Sequence, residues 1–151
     1  MSDVIFVCVH NAGRSQMAKA IFNKLSKEQG LPFRAESAGT EPGEHIHPNV
    51  LEAMKEMGID LSHESPKRLT NDMVYDARRV ITMGCTVDAE ACPAVFLKGV
   101  EDWGLPDPKG KSLEEVGAIR DTIRQRVEVL VKSMEPQGRQ LVHEFSKPNS
   151  T

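Results

Sequence analysis

Val4-Ile5-Phe6-Val7-Cys8-Val9-His10-Asn11-Ala12-Gly13-Arg14-Ser15 is the stretch on which the fold turns. Val4 to Val7 is a short, continuous apolar run rich in β-branched residues, the pattern of a strand buried on both faces. A polar turn containing Gly13 follows, and from Ser15 the period changes. Met17, Ile21 and Leu25 share one helical face with Phe22 beside them, until Gly30 stops the helix. The stretch therefore reads as strand, loop and helix, with Cys8 closing the strand and Arg14 and Ser15 opening the helix.

Working outward, the same alternation continues. Phe33 to Ser37 reads as a second strand ending at Gly39. Pro48 opens a helix whose apolar stripe is Val50, Leu51, Met54 and Met57, and Gly58 closes it. Asn71 is placed to cap a short helix through Tyr75, and Arg79 to Met83 reads as another central strand. Ser112 with Glu115 three residues on is a capping-box pattern, and Val116, Ile119, Ile123, Val127, Leu130, Val131 and Met134 stripe a long helix. Residues 135–151 lack periodicity and are rich in Pro, Gly, Ser and Asn, which predicts one domain over 1–134 and a mobile tail after it. Strands alternating with helices predict an α/β layer fold with a mostly parallel central sheet and helices on both faces. Ligands of such sheets sit at the carboxyl ends of the strands. Cys8 and Met83-Gly84-Cys85 fall together on that edge.

The sequence has 151 residues, the size of one ordinary domain and enough to bury a core without disulfides or metal. Apolar residues make up 39% and charged residues 27%, too apolar for a disordered chain. A net charge of −3, with only short basic pairs such as Lys67-Arg68 and Arg78-Arg79, excludes a nucleic-acid face. There is no apolar run long enough to cross a membrane and no secretory leader pattern, so a cytoplasmic protein is expected. Three cysteines, Cys8, Cys85 and Cys92, suit that reducing compartment, where thiols are more often buried, catalytic or metal-bound than bridged.

The chemistry concentrates in Cys8 to Ser15, a cysteine, five residues, then arginine and serine. Such a loop suits a tetrahedral oxyanion. The backbone N–H groups of Val9, His10, Asn11, Ala12, Gly13, Arg14 and Ser15 can be aimed inward, and the helix start adds the positive end of its dipole. Gly13 is expected to supply a backbone conformation that a side chain would hinder. Arg14 can offer a two-pronged set of donors to two oxygens. Ser15 is placed to donate to the Cys8 sulfur, and the same field favours the nucleophilic thiolate. His10 is expected to point outward. His45-Ile46-His47 reads as surface histidine in a turn, and the cysteine spacing lacks the tight ligand pairs of a zinc site.

The loop, with Ser37-Ala38-Gly39, Leu51-Glu52-Ala53-Met54, Gly58-Ile59-Asp60, Cys85 to Cys92 with Pro93, and Trp103-Gly104 to Asp107-Pro108, resembles the low-molecular-weight protein tyrosine phosphatase fold. Within that fold it is similar to the arsenate reductase branch that is coupled to thioredoxin. The resemblance implies a three-layer sandwich around a four-stranded sheet, no organic cofactor or metal, and a monomer. It also implies a site of Cys8, Arg14, Ser15, Cys85, Cys92 and Asp107. Arsenate, with phosphate or sulfate as analogue, would sit in the loop. Cys8 would attack arsenic, and Asp107, with Asp102 a weaker choice, would protonate the departing oxygen. Cys85 and then Cys92 would resolve the sulfur adduct, and thioredoxin would reduce the resulting disulfide. Cys85 and Cys92 are seven positions apart. On a helix that is about 10.5 Å, beyond the roughly 4.4–6.8 Å a disulfide spans, so the segment is expected to reshape between redox states. Some reductases of this branch resemble a potassium-binding design built partly on Asn11 and acidic positions. Lys19 and Lys67 stand in place of acids here, and no potassium activation is expected. A phosphatase of the same fold and a non-catalytic oxyanion or redox sensor are the competing readings.

Overall fold

The computed structural model describes residues 2–84 and 101–134. Its first strand, β1 (Val4–Cys8), is buried throughout. It is hydrogen-bonded on both sides in parallel, to β2 (Ala35–Gly39) with Val4 opposite Ala35 and Cys8 opposite Gly39, and to β3 (Arg79–Thr82) with Val4 opposite Arg79. A two-residue strand, β4 (Glu101–Asp102), extends the sheet beyond β3, giving the order β2-β1-β3-β4. Among the described residues the sheet is four-stranded and wholly parallel.

Period-two alternation along β1 divides the core. Val4, Phe6 and Cys8 face one side, where α1 (Arg14–Glu28), α2 (Pro48–Lys55) and the long α4 (Leu113–Ser133) pack. Phe6 is fully buried there, with ring centroids 6.2 Å from Phe22 and 5.6 Å from Trp103. Ile5 and Val7 face the other side with Ala38 and Val80, covered by Leu69 and by Val74 of α3 (Asn71–Asp76). Met54 and Met134 are core residues as their helical spacing implies, with Met57 packed against them.

Several boundaries differ from the sequence reading. β2 begins at Ala35, because Phe33 turns under α1 into the core instead of joining the ladder. Thr70 caps α3, its hydroxyl accepting from Met73 N at 3.2 Å, so Asn71 is the first helical residue and not the cap. The Ser112 capping box forms as expected, with Ser112 Oγ accepting from Glu115 N and Glu115 Oε1 accepting from Ser112 N, both at 3.1 Å. β4 gave no sequence signal, since its two residues are exposed acids with little strand preference. Among the described residues, no helix is long and apolar enough to cross a membrane. The expected tail, 135–151, lies outside the described residues.

The strand order fixes where a ligand can bind. From β1 the chain goes to β2 on one side and then crosses to β3 on the other. The crevice outside the carboxyl ends of β1 and β3 is therefore the topological switch point. Cys8 and Met83-Gly84 both open onto it.

Candidate active site

Cys8, the last residue of β1, is 3% exposed, and the following loop folds back over its sulfur. Asn11 makes the return possible. Its φ of 52° is left-handed, a region asparagine tolerates better than most side chains. Its backbone N–H points at Cys8 Sγ, 3.2 Å away. Its side-chain Nδ2 donates to Ser15 Oγ at 2.7 Å, and Ser15 Oγ lies 2.8 Å from Cys8 Sγ. An amide nitrogen can only donate, so the serine oxygen accepts from Asn11 and its own O–H is left to point at the sulfur. Asn11 Oδ1 in turn accepts from Lys67 N at 3.0 Å and from Gln16 Nε2 at 3.1 Å, which fixes the amide's orientation. Gln16, buried in α1 with its Oε1 unpartnered among the described residues, was not singled out by sequence reasoning.

Gly13 departs from the expected reason for glycine. Its φ is −149°, outside the left-handed region. What excludes a side chain is space, because a Cβ would lie 2.6 Å from Pro108 Cγ. The Asp107-Pro108 loop thus rests on the anion loop. Asp107 is exposed, and its Oδ1 accepts from Lys109 N at 3.0 Å, a turn within the loop itself. Asn49, the second residue of α2, donates from one Nδ2 to Pro108 O at 2.9 Å and Lys111 O at 3.0 Å.

Arg14 opens α1 and is almost buried. Its Nη1 donates to Met83 O at the exit of β3 and to Leu105 O before the Asp107 loop, both at 2.8 Å. The Nε and Nη2 edge makes no hydrogen bond among the described residues, leaving a two-donor face for an oxyanion. Gly84 fits into this junction at φ 95°, where a Cβ would come within 2.5 Å of Leu105 O. Asp102 closes the junction, its Oδ1 accepting from Thr82 Oγ1 at 2.7 Å and Gly84 N at 2.8 Å. Burial works to raise its carboxyl, but bonds from Thr82, Gly84 and Gly104 and the charge of Arg14 outweigh it and hold it below its usual range. Such a carboxylate is a committed acceptor, which leaves Asp107 as the candidate acid.

His10 is exposed as expected, its Nδ1 2.9 Å from Glu41 O. His47 is not a free surface residue. It is half-buried, its backbone N–H donates to Ala12 O, and its ring packs beside Gly13. Burial lowers its imidazole below the ordinary value, and Lys109 and His10 reinforce that against the opposing charge of Asp107. Behind the loop, Lys19 Nζ lies 3.1 Å from Glu36 Oε1 and 3.0 Å from Glu64 Oε1, and Lys67 Nζ 3.0 Å from Glu36 Oε1. Among the described residues no group of three or more His, Cys, Asp or Glu could hold a metal. Cys85 and Cys92, and the reshaping expected of their segment, lie outside the described residues.

A parallel α/β sheet carrying a cysteine–arginine oxyanion loop at its switch point defines a class of thiol-dependent oxyanion enzymes. Residues 3–140 match the low molecular weight phosphotyrosine protein phosphatase family, and the chain belongs to that family. Arsenate reductase 1 of Staphylococcus epidermidis is 39% identical over 127 residues, covering 83% of this chain and 92% of that protein. The solved structure of an arsenate reductase in the phosphate binding state is similar with a TM-score of 0.75 and 33% identity, covering 89% of this chain and 100% of that one. A thioredoxin-dependent arsenate reductase of Corynebacterium glutamicum gives a TM-score of 0.68 and 39% identity over 88% of this chain and 61% of its own.

Proposed function

We propose that this protein is an arsenate reductase that turns over through a three-cysteine relay regenerated by thioredoxin. The observation that carries the reading is the Cys8 sulfur, met by the Asn11 amide and the Ser15 hydroxyl at the bottom of an oxyanion loop, in a chain that has arsenate reductases among its relatives. The unengaged edge of Arg14 and the loop amides of Val9 to Ser15 take the oxyanion. The Cys8 thiolate attacks arsenic, and Asp107 gives its proton to the oxygen that leaves as water. Cys85 attacks Cys8 Sγ, and the As–S bonding pair stays on arsenic, which departs as arsenite. Cys92 attacks Cys85 and frees Cys8, and a thioredoxin dithiol reduces the Cys85–Cys92 bridge. Such a relay belongs in a reducing cytoplasm.

Potassium has no place in this mechanism. The Lys19 ammonium already lies between the Glu36 and Glu64 carboxylates, and Lys67 shares Glu36, so the residues there do not fit a further cation.

The family's phosphatase description supports a second reading, hydrolysis of a phosphate monoester at the same loop. Against it, the chain's one tyrosine lies in α3, leading to the amino end of β3, and its one tryptophan is buried against Phe6. Neither is placed to flank a phosphotyrosine ring. Arsenate-dependent NADPH oxidation with thioredoxin and thioredoxin reductase separates the readings. Cys8→Ser should abolish it, and Cys92→Ser should stop after one turnover. A Cys92→Ser variant with the wild-type steady-state rate would overturn the relay.

A further inference from the structure

The loop that carries Asp107 has few ties of its own. Asp107 is exposed, the turn at Lys109 is local, and Lys111 N donates to Pro108 O at 3.0 Å within the same loop. Arg14 holds its entry at Leu105 O and Pro108 packs on Gly13, and among the described residues the side-chain hydrogen bonds to the loop beyond Asp107 come from Asn49. A single Nδ2 spans Pro108 O and Lys111 O, at 2.9 and 3.0 Å, across some sixty residues of chain. The Asn49 Oδ1 is buried without a partner among the described residues, so within them this side chain is held by its donor end alone. A flipped amide would set an oxygen against two carbonyl oxygens, so the orientation is fixed. Asn49 also sits next to Pro48 and two residues beyond His47, whose N–H donates to Ala12 O in the anion loop. The first turn of α2 therefore grips both loops, with Pro108 pressed on Gly13 between them.

We propose that Asn49 is a positioning residue for proton delivery: its amide, bridging the Pro108 and Lys111 carbonyls, holds the Asp107 loop against the anion loop. The proposal rests on the reading of Asp107 as the general acid in arsenate reduction. Among the described residues the Asn49 side chain bonds to Pro108 O and Lys111 O and not to Cys8 or the Val9–Ser15 loop, so its effect passes through the Asp107 loop. Freed of the bridge, Asp107 would meet the departing oxygen in its productive geometry for a smaller fraction of the time, whereas anion affinity, set by the Cys8–Ser15 loop, would stay.

The test is arsenate-dependent thiol loss in a single turnover without thioredoxin, with melting curves recorded for every variant. Asn49→Ala should slow the step by between about ten- and a hundredfold, the cost of displacing a catalytic group by roughly an ångström. The arsenate concentration at half-maximal rate should move by less than about twofold. On an Asp107→Asn background the same substitution should add nothing, because both act on one proton transfer. Asn49→Asp is the sharper variant. An acid in the first turn favours α2 itself, yet it places an acceptor against two carbonyls, so the variant should fold and be at least as slow as Asn49→Ala. Wild-type rates in Asn49→Asp, or a full multiplicative loss on top of Asp107→Asn, would overturn the proposal. A wild-type protein that loses no thiols with arsenate would instead overturn the reductase reading beneath it.

Discussion

The Ser15 hydroxyl answers to two partners, accepting from Asn11 Nδ2 and facing Cys8 Sγ. That chain of donors ends on the sulfur, and a hydrogen bond to a charged acceptor is worth about 1.5–3 kcal/mol. Ser15→Ala, made in a Cys85→Ser/Cys92→Ser background so that only Cys8 reacts, should slow alkylation by iodoacetamide about tenfold or more. Equal rates would remove Ser15 from the activation of Cys8. At this scale the sequence was legible where chemistry dictates residue type: a cysteine, an arginine and a serine at fixed spacing can be read as an oxyanion loop. It was less legible where the reason is a neighbour distant in sequence. Gly13 is required by Pro108, Asn49 by two carbonyls about sixty positions away, and Asp102 is used up by Thr82 and Gly84. The left-handed turn at Asn11 leaves only a weak sequence signal, because asparagine tolerates that region without requiring it.

Helices were the most legible elements, since each has its own stripe and punctuation. α4 joins an apolar stripe to a capping box, and each Ser112–Glu115 bond satisfies a backbone N–H that the helix start would leave open. Ser112→Ala should cost about 1 kcal/mol and lower the melting midpoint by a few degrees. An unchanged midpoint would mean that packing alone holds that end. Strand boundaries were less legible, because Phe33 belongs to the core and not the ladder. β4 was invisible, since two exposed acids become a strand only because β3 offers them a free edge. The α3 cap fell to Thr70, one residue before the asparagine that sequence preference favours, because threonine's hydroxyl reaches Met73 N.

Over the whole molecule, ion pairs between elements give stability a pH dependence with a definite sign. Glu36 on β2 meets Lys19 of α1 and Lys67. Burial would raise the Glu36 carboxyl, but the bonds to Lys67 and Lys19 outweigh it and bring it below its ordinary 4.5. A depressed acid stabilises the fold above its unfolded value, and that contribution is lost as pH falls through the folded one. For Lys19, burial is outweighed by Glu64 and Glu36, so its value is raised above 10.5 and its contribution is lost only as pH rises through that raised value. The melting midpoint should therefore change little from about pH 7.5 to 9, begin to fall below about 6.5 as the unfolded chain protonates the His47 imidazole that burial holds neutral in the fold, and fall further below about 4.5, where Glu36→Gln should make the limb shallower. An identical acid limb in the variant would assign the loss to other carboxylates. The α/β class and parallel sheet were readable from alternation alone. The order β2-β1-β3-β4 was not, because pairing between strands is decided by crossovers that leave no local trace.

The central position of β1 has a mechanical consequence. Ladders on both flanks clamp the backbone beneath Cys8, and buried side chains brace it above and below. In the proposed relay Cys8 would then be the anvil, and the resolving sulfur would have to make the journey. The pace of the exchange would then be set by the traveller's freedom and not by any give in the sheet. Loosening the floor under Cys8 should blunt the first strike without hastening the second.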